Sequence, residues 1–184
     1  MARKTMVELL AEISANFPNN TTQLISPAKL REFCTDFVDS VTVSYGILSS
    51  PSLVQVVGSS DQLLPWVSTY LVQSPEFTTN PATGTIRRDQ NIVVNEINVN
   101  IDLAMAANRE CIMSLYANGV PTIWRAKAVG NGTTRPETIS LVAVNYSAVP
   151  VNYQLFIQAD APGTSITFSN GVFAINSVPV RQAL

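Results

Sequence analysis

Between residues 83 and 177 the chain is a succession of short alternating strands separated by turn residues, with no amphipathic helical stretch between them. Parallel strands need long crossovers, usually helices, so this pattern restricts the fold to an antiparallel sandwich or barrel. The spacing predicts strands over 83–88, 91–103, 110–117, 120–128, 137–146, 151–159, 164–168 and 172–177. Asn118-Gly119 is the strongest hairpin signal, because both residues tolerate the positive φ that a two-residue turn requires. Ser147 to Pro150 joins the next two strands, and Ser169-Asn170-Gly171 is expected to turn the last pair back on itself. In strand 91–103, Ile97, Val99, Ile101 and Leu103 point inward and Asn98, Asn100 and Asp102 outward. Ile92 and Val94 have the opposite parity, which predicts a bulge or bend near Asn95-Glu96. Gly58, Pro65, Pro75 and Pro81 break up residues 58–81, leaving loop and short strands, one of them over 66–72.

The first forty residues follow a different pattern. They hold nine of the 24 charged residues, and their apolar positions repeat with helical spacing. Thr5 and Glu8 form a capping box ahead of Met6, Leu9, Leu10 and Ile13, and the helix is expected to end near Asn16. Ser26 and Pro27 suit the N-cap and first helical position of a second helix, whose apolar side carries Leu30, Phe33, Cys34, Phe37, Val38 and Val41. Its heptad pattern is under two repeats long, so a helix packed on its own domain competes with a short collar around a symmetry axis. The expected division is a helical anchor and collar over 1–45 and a β head over 46–184.

Composition then narrows the function. The chain has no histidine, which removes every Ser-His, Cys-His and histidine–metal arrangement. A net charge of −2 gives no electrostatic footprint for nucleic acid. No apolar run reaches the roughly 18–20 residues of a membrane helix. The charged start, interrupted by Thr5, Glu8 and Glu12, does not resemble a secretory leader, so the Asn-x-Ser/Thr triplets at Asn19, Asn20, Asn131 and Asn145 read as chance. Cys34 and Cys111 lack metal-ligand spacing and are expected to be buried small hydrophobes rather than a disulfide. Glu96 with Asp102, and Arg87-Arg88-Asp89, are acid/base pairs on paper but are expected to be surface charges. Gly130-Asn131-Gly132 reads as a turn, and Trp66 and Trp124 as core or subunit-contact residues. No catalytic residue, metal site or cofactor is expected.

The strands also carry more apolar surface than one sandwich can hide. Strand 137–146 is apolar on both faces: Ile139, Leu141 and Ala143 on one, Val142, Val144 and Tyr146 on the other. Phe156 interrupts the polar side of strand 151–159. A second apolar face needs a cover, and an identical subunit is the economical one. Val142, Val144, Tyr146 and Phe156 are therefore expected at an oligomer interface.

Several ordered stretches resemble the jelly-roll head of the tumour-necrosis-factor-like superfamily, in the version carried by bacteriophage particles. They are 77–86, the alternating strand Ile97–Leu103, 112–119, 138–144, 151–158, 165–168 and 172–175. Residues 17–31 and 36–40 resemble the segment joining the anchor of phage fibre and head-accessory proteins to their distal parts. This resemblance implies a mainly β, antiparallel jelly-roll sandwich with an N-terminal helical anchor, assembled as a homotrimer. It places Leu30, Phe33, Phe37, Val38 and Val41 along the threefold axis, and Met6, Leu9, Leu10 and Ile13 at the attachment to the virion. The implied function is a non-enzymatic capsid decoration or head-fibre protein, assembled into the virion in the host cytoplasm and bound to the major capsid protein or other virion proteins. The alternative is a tail or baseplate tip that recognises a host surface receptor through loops such as 104–109 or 129–136.

Overall fold

The computed structural model describes residues 6–16, 27–41, 44–50, 53–64, 66–73, 77–89, 93–147 and 149–179. Two helices, α1 (Met6–Asn16) and α2 (Pro27–Val41), precede the strands and contact each other. Of the apolar stripe on α1, Leu9 is buried while Leu10 and Ile13 remain exposed. On α2, Leu30 is exposed and Phe33 half-buried, and the side chains of Met6, Phe37, Val38 and Val41 lie outside the described residues.

Twelve strands follow among the described residues: β1 (Ser44–Ser50), β2 (Leu53–Val57), β3 (Gln62–Leu63), β4 (Ser68–Gln73), β5 (Phe77–Asn80), β6 (Thr85–Arg88), β7 (Val93–Met105), β8 (Glu110–Ala117), β9 (Val120–Val129), β10 (Glu137–Ser147), β11 (Val151–Ala159) and β12 (Thr164–Pro179). They form two antiparallel sheets. The first runs β10-β7-β12-β1-β4, with β2 also on β12; the second runs β5-β6-β11-β8-β9, with β3 also on β11. From β6 onward the chain crosses repeatedly between the sheets, and only β8 and β9 form a local hairpin in this stretch. That interleaved order is a jelly roll.

Inward positions fill the space between the sheets with Ile97, Val99, Ile101 and Leu103 of β7, Phe168 and Phe173 of β12, and Tyr153, Leu155 and Ile157 of β11, all under 3% exposed. Each such side chain contributes about 1.5–3 kcal/mol through burial. Trp66 stacks on Phe173 with ring centroids 5.9 Å apart, and Trp124 packs partly buried against the core, so both tryptophans face inward. The hairpin expected at Asn118-Gly119 is present, with φ of 50° and 76° at the two residues.

Three expectations change. Ser169-Asn170-Gly171 does not reverse the chain: β12 runs straight through it, and Phe168 and Asn170 pair with the adjacent residues Leu103 and Asp102 of β7, leaving Ser169 as the bulged residue. Turn-forming residues mark a bulge here because β7 is long enough to pair with both halves. Conversely, β7 has no bulge at Asn95-Glu96, and its register with β10 is unbroken from Val93 to Leu103. Asn95 keeps the inward parity of Ile97 and is fully buried because its amide has partners there. Third, Cys111 is buried but Cys34 is exposed, and both are free thiols.

Burial pushes the Cys111 thiol up from 9.0 to about 11. A thiol reagent at pH 8 should therefore label Cys34 and spare Cys111 until the chain unfolds, as peptide mass spectrometry would show. Because the folded value is the raised one, this group's contribution to stability is complete below pH 9 and is lost as pH rises from 9 to about 11.

Candidate functional site

The outward face of the first sheet is built from alternate residues of β10, β7, β12 and β1. Strand register sets Val142 beside Asn98, Ala174 and Ile47 in one row, and Val144 beside Glu96, Asn176 and Tyr45 in the next. Tyr146 lies beside Val94 at the end of the same face. Val142, Val144 and Tyr146 are 62%, 54% and 60% exposed, an uncovered apolar cluster along the edge strand of the sheet.

The other end of this face is polar and satisfied within itself. Thr138 donates to Asp102 at 2.6 Å, Asn170 donates to the other oxygen of Asp102 at 3.3 Å, and Ser140 donates to Asn100 at 2.7 Å. The face is thus divided lengthwise into a self-paired polar end and an unpaired apolar end. Glu96 and Asp102 both point outward from β7, six residues apart, which at about 3.3 Å per residue is some 20 Å and far beyond any acid/base pairing.

Beneath the apolar end, a buried polar network ties the two sheets together. The amides of Asn145 and Asn95 donate to the Tyr153 hydroxyl at 2.8 and 3.0 Å, and Ser177 donates to Asn95 at 3.0 Å. Burial raises the Tyr153 phenol above its ordinary range, opposed by its hydrogen bond from Asn145. Arg88, expected at the surface, is fully buried beside this network and donates to the carbonyls of Ser147 and Val149. Its position follows from parity: it shares the inward side of β6 with Ile86, while Arg87 points to solvent and pairs with Asp89.

Phe156 does not join the β10 cluster. It projects from the outer face of the second sheet, half-buried, with its ring 4.1 Å from Tyr116, whose hydroxyl donates to Asp61. The β10 face instead carries Val172, 44% exposed, which lies beside Asn100 one row from Val142. Its outward parity opposite the buried Phe173 was the available signal. The other overlooked residue is Ile123, 88% exposed on β9. There β9 carries two more residues than β8 between their ladder pairs, and Thr122 holds the bulge by donating to Leu115 at 2.8 Å. A bulge is not legible from alternation alone, so neither was Ile123.

At one end of the sandwich the loops 104–109 and 129–136 are hydrogen-bonded together, through Gly130 N to Arg109 O at 2.7 Å and Asn108 N to Gly130 O at 3.0 Å. Gly130 is required at this junction, since a Cβ there would sit 2.3 Å from the Ala106 carbonyl oxygen.

No family profile and no curated protein sequence matches the chain. Its fold does match solved structures. Murine APRIL aligns with a TM-score of 0.55 at 10% identity, covering 74% of this chain and all of that one. The globular domain of zebrafish complement 1qA protein aligns at 0.51 and 12% identity, over 72% of this chain and 94% of its own. Eiger TNF from S. frugiperda aligns at 0.51 and 10%, over 77% and 99%. The chain shares the jelly-roll fold of these proteins.

Proposed function

We propose that this chain is a non-enzymatic homotrimeric head protein that decorates a phage particle, with residues 1–45 as its anchor. The carrying observation is the apolar end of the β10 face, where Val142, Val144 and Tyr146 stand uncovered beside an edge that also presents Ile123. An edge residue on one element and an apolar face on another favour a head-to-tail contact, which closes as a small ring rather than a twofold pair. The resemblance to trimeric jelly-roll heads supports a ring of three. Leu10, Ile13 and Leu30 leave apolar surface on the helix pair, which suits a short segment docked on another virion protein. Multi-angle light scattering of the purified chain should give three copies of 19.9 kDa, about 60 kDa, at micromolar concentration. A mass of one chain would overturn the reading.

The receptor-binding alternative draws on a separate observation, the two loops bonded together at one end of the sandwich. Gold labelling of particles separates the two roles: label over capsid faces supports decoration, and label at the tail tip supports host recognition.

A further inference from the structure

The outer face of the second sheet, opposite the proposed assembly face, holds an open groove of about 390 Å³ lined mainly by threonine, asparagine and glutamine side chains. Strand register lays its floor out as a grid. Thr78, Arg87 and Asn152 form one row across β5, β6 and β11, and Asn80, Thr85 and Gln154 form the next. The second row continues onto Tyr116 of β8, which stacks on Phe156. Two turns wall the groove: the short 3₁₀ turn Pro81–Thr83 on one side and the Asn118-Gly119 hairpin on the other.

These walls are held in place before any ligand arrives. Asn80 caps the 3₁₀ turn by accepting from the Thr83 amide, and Gln154 donates to the Thr83 carbonyl at 3.0 Å. Gly84 follows at a φ of 58°, with the space for a Cβ limited by the Leu64 carbonyl at 3.0 Å and the Trp66 ring at 3.2 Å. Asn118 accepts from the Asn152 backbone amide at 2.9 Å, fixing the opposite wall.

The groups left over define the ligand. The side-chain amide of Asn152, the amide nitrogen of Asn80 and the amide oxygen of Gln154 have no hydrogen-bond partner among the described residues, so donors and acceptors both face the groove. Arg87 is charge-balanced by Asp89, which also accepts from Thr78 at 3.1 Å, so the groove has no net attraction for an anion. The residues that line the groove are threonine, asparagine, glutamine and glycine besides the paired Arg87, so what it offers a ligand is amide and hydroxyl groups. An uncharged ligand carrying several hydroxyls, each able both to donate and to accept, meets these conditions. The volume lies at the small end of ligand sites, of order 300–1,000 Å³, and suits one or two rings.

We propose that this groove binds a neutral saccharide, a property independent of trimer formation. Saturation-transfer NMR on the full chain, with neutral gluco-, manno- and galacto-oligosaccharides and with sialyllactose and oligogalacturonate as acidic comparators, tests it. The expected result is transfer to at least one neutral series at millimolar concentration and none to the acidic ones. Asn152→Ala, whose side chain holds no part of the fold, should weaken that binding about tenfold, the loss of roughly one ligand hydrogen bond. Gln154→Glu should weaken it as well, while Ser140→Ala on the opposite sheet should not. A chain carrying Val142→Asp and Val144→Asp together, changes on the assembly face, should retain binding even as a single chain, so a failed assembly and a failed groove are told apart. Transfer to no neutral saccharide, equal binding of the acidic series, or binding unchanged by both groove substitutions would each overturn the proposal.

Discussion

Replacing Val142 and Val144 together by aspartate should reduce the mass in light scattering from about 60 kDa to about 20 kDa, the mass of one chain, while leaving the chain folded. Both side chains are more than half exposed in the single chain, so the substitutions remove no core contact and introduce no buried charge there. In a trimer closed on this face they would enclose six carboxylates. Each ion taken out of water without a partner is penalised by several kcal/mol, more than the apolar contact it replaces returns. The nearby polar end cannot rescue them, because Asp102 and Asn100 already accept from Thr138, Asn170 and Ser140. Lowering the pH through the ordinary aspartate range should restore part of the trimer, since the neutral acid is far less costly to bury. A variant that still sediments as a trimer at neutral pH would show that assembly uses another surface.

Tyr153→Phe should destabilise the chain by about 2–4 kcal/mol, because the buried Asn95 amide, left with a long 3.5 Å bond to the Asn145 carbonyl, and the half-buried Asn145 amide lose their shared acceptor, and each unsatisfied group costs about 1–3 kcal/mol. For a domain of this size that corresponds to a fall of about 5–15 °C in Tm. Ser177→Ala removes only the donor to Asn95 and should cost about 1 kcal/mol. A denaturant midpoint that shifts at unchanged slope would locate the loss in the folded state. The pH dependence has a defined sign. Burial raises the Tyr153 phenol, so its contribution is complete below its ordinary pKa of 10 and is lost as pH rises through the folded value. A Tyr153→Phe chain as stable as the parent would mean that water, not Tyr153, satisfies Asn95 and Asn145.

Much of the sandwich was legible because its strands alternate with period two. The inward sets of β7, β10 and β11 were read from parity, and the Asn118-Gly119 turn from the positive φ its residues accept. The two misread places within the strands share one cause. Asn95 was taken for a break in parity because an inward asparagine has no visible reason in one dimension; its reason is the hydroxyl of Tyr153, 58 residues away. Ser169-Asn170-Gly171 was taken for a reversal because turn residues also make bulges, and which one forms depends on whether a neighbouring strand is long enough to continue the ladder. Arg88 is the same case among charges: parity sends it inward, and the carbonyls of Ser147 and Val149 make that tolerable.

The candidate sites divide in the same way. The surplus of apolar residues on β10 was apparent from local pattern, since Val142, Val144 and Tyr146 occupy one face of one strand. The separation of Phe156 from them was not, because membership of a sheet depends on pairing between distant strands. The groove of the second sheet is wholly tertiary: Asn80, Arg87 and Asn152 are unremarkable polar residues until three strands bring them side by side. What the amino-acid order determined alone is the mainly β class, the two leading helices, the local hairpin and the excess of apolar surface, all properties of neighbours within a few residues. Folding decided which sheet each strand entered, which polar groups were buried, and which side chains came to share a face, because those outcomes rest on contacts made across the whole chain.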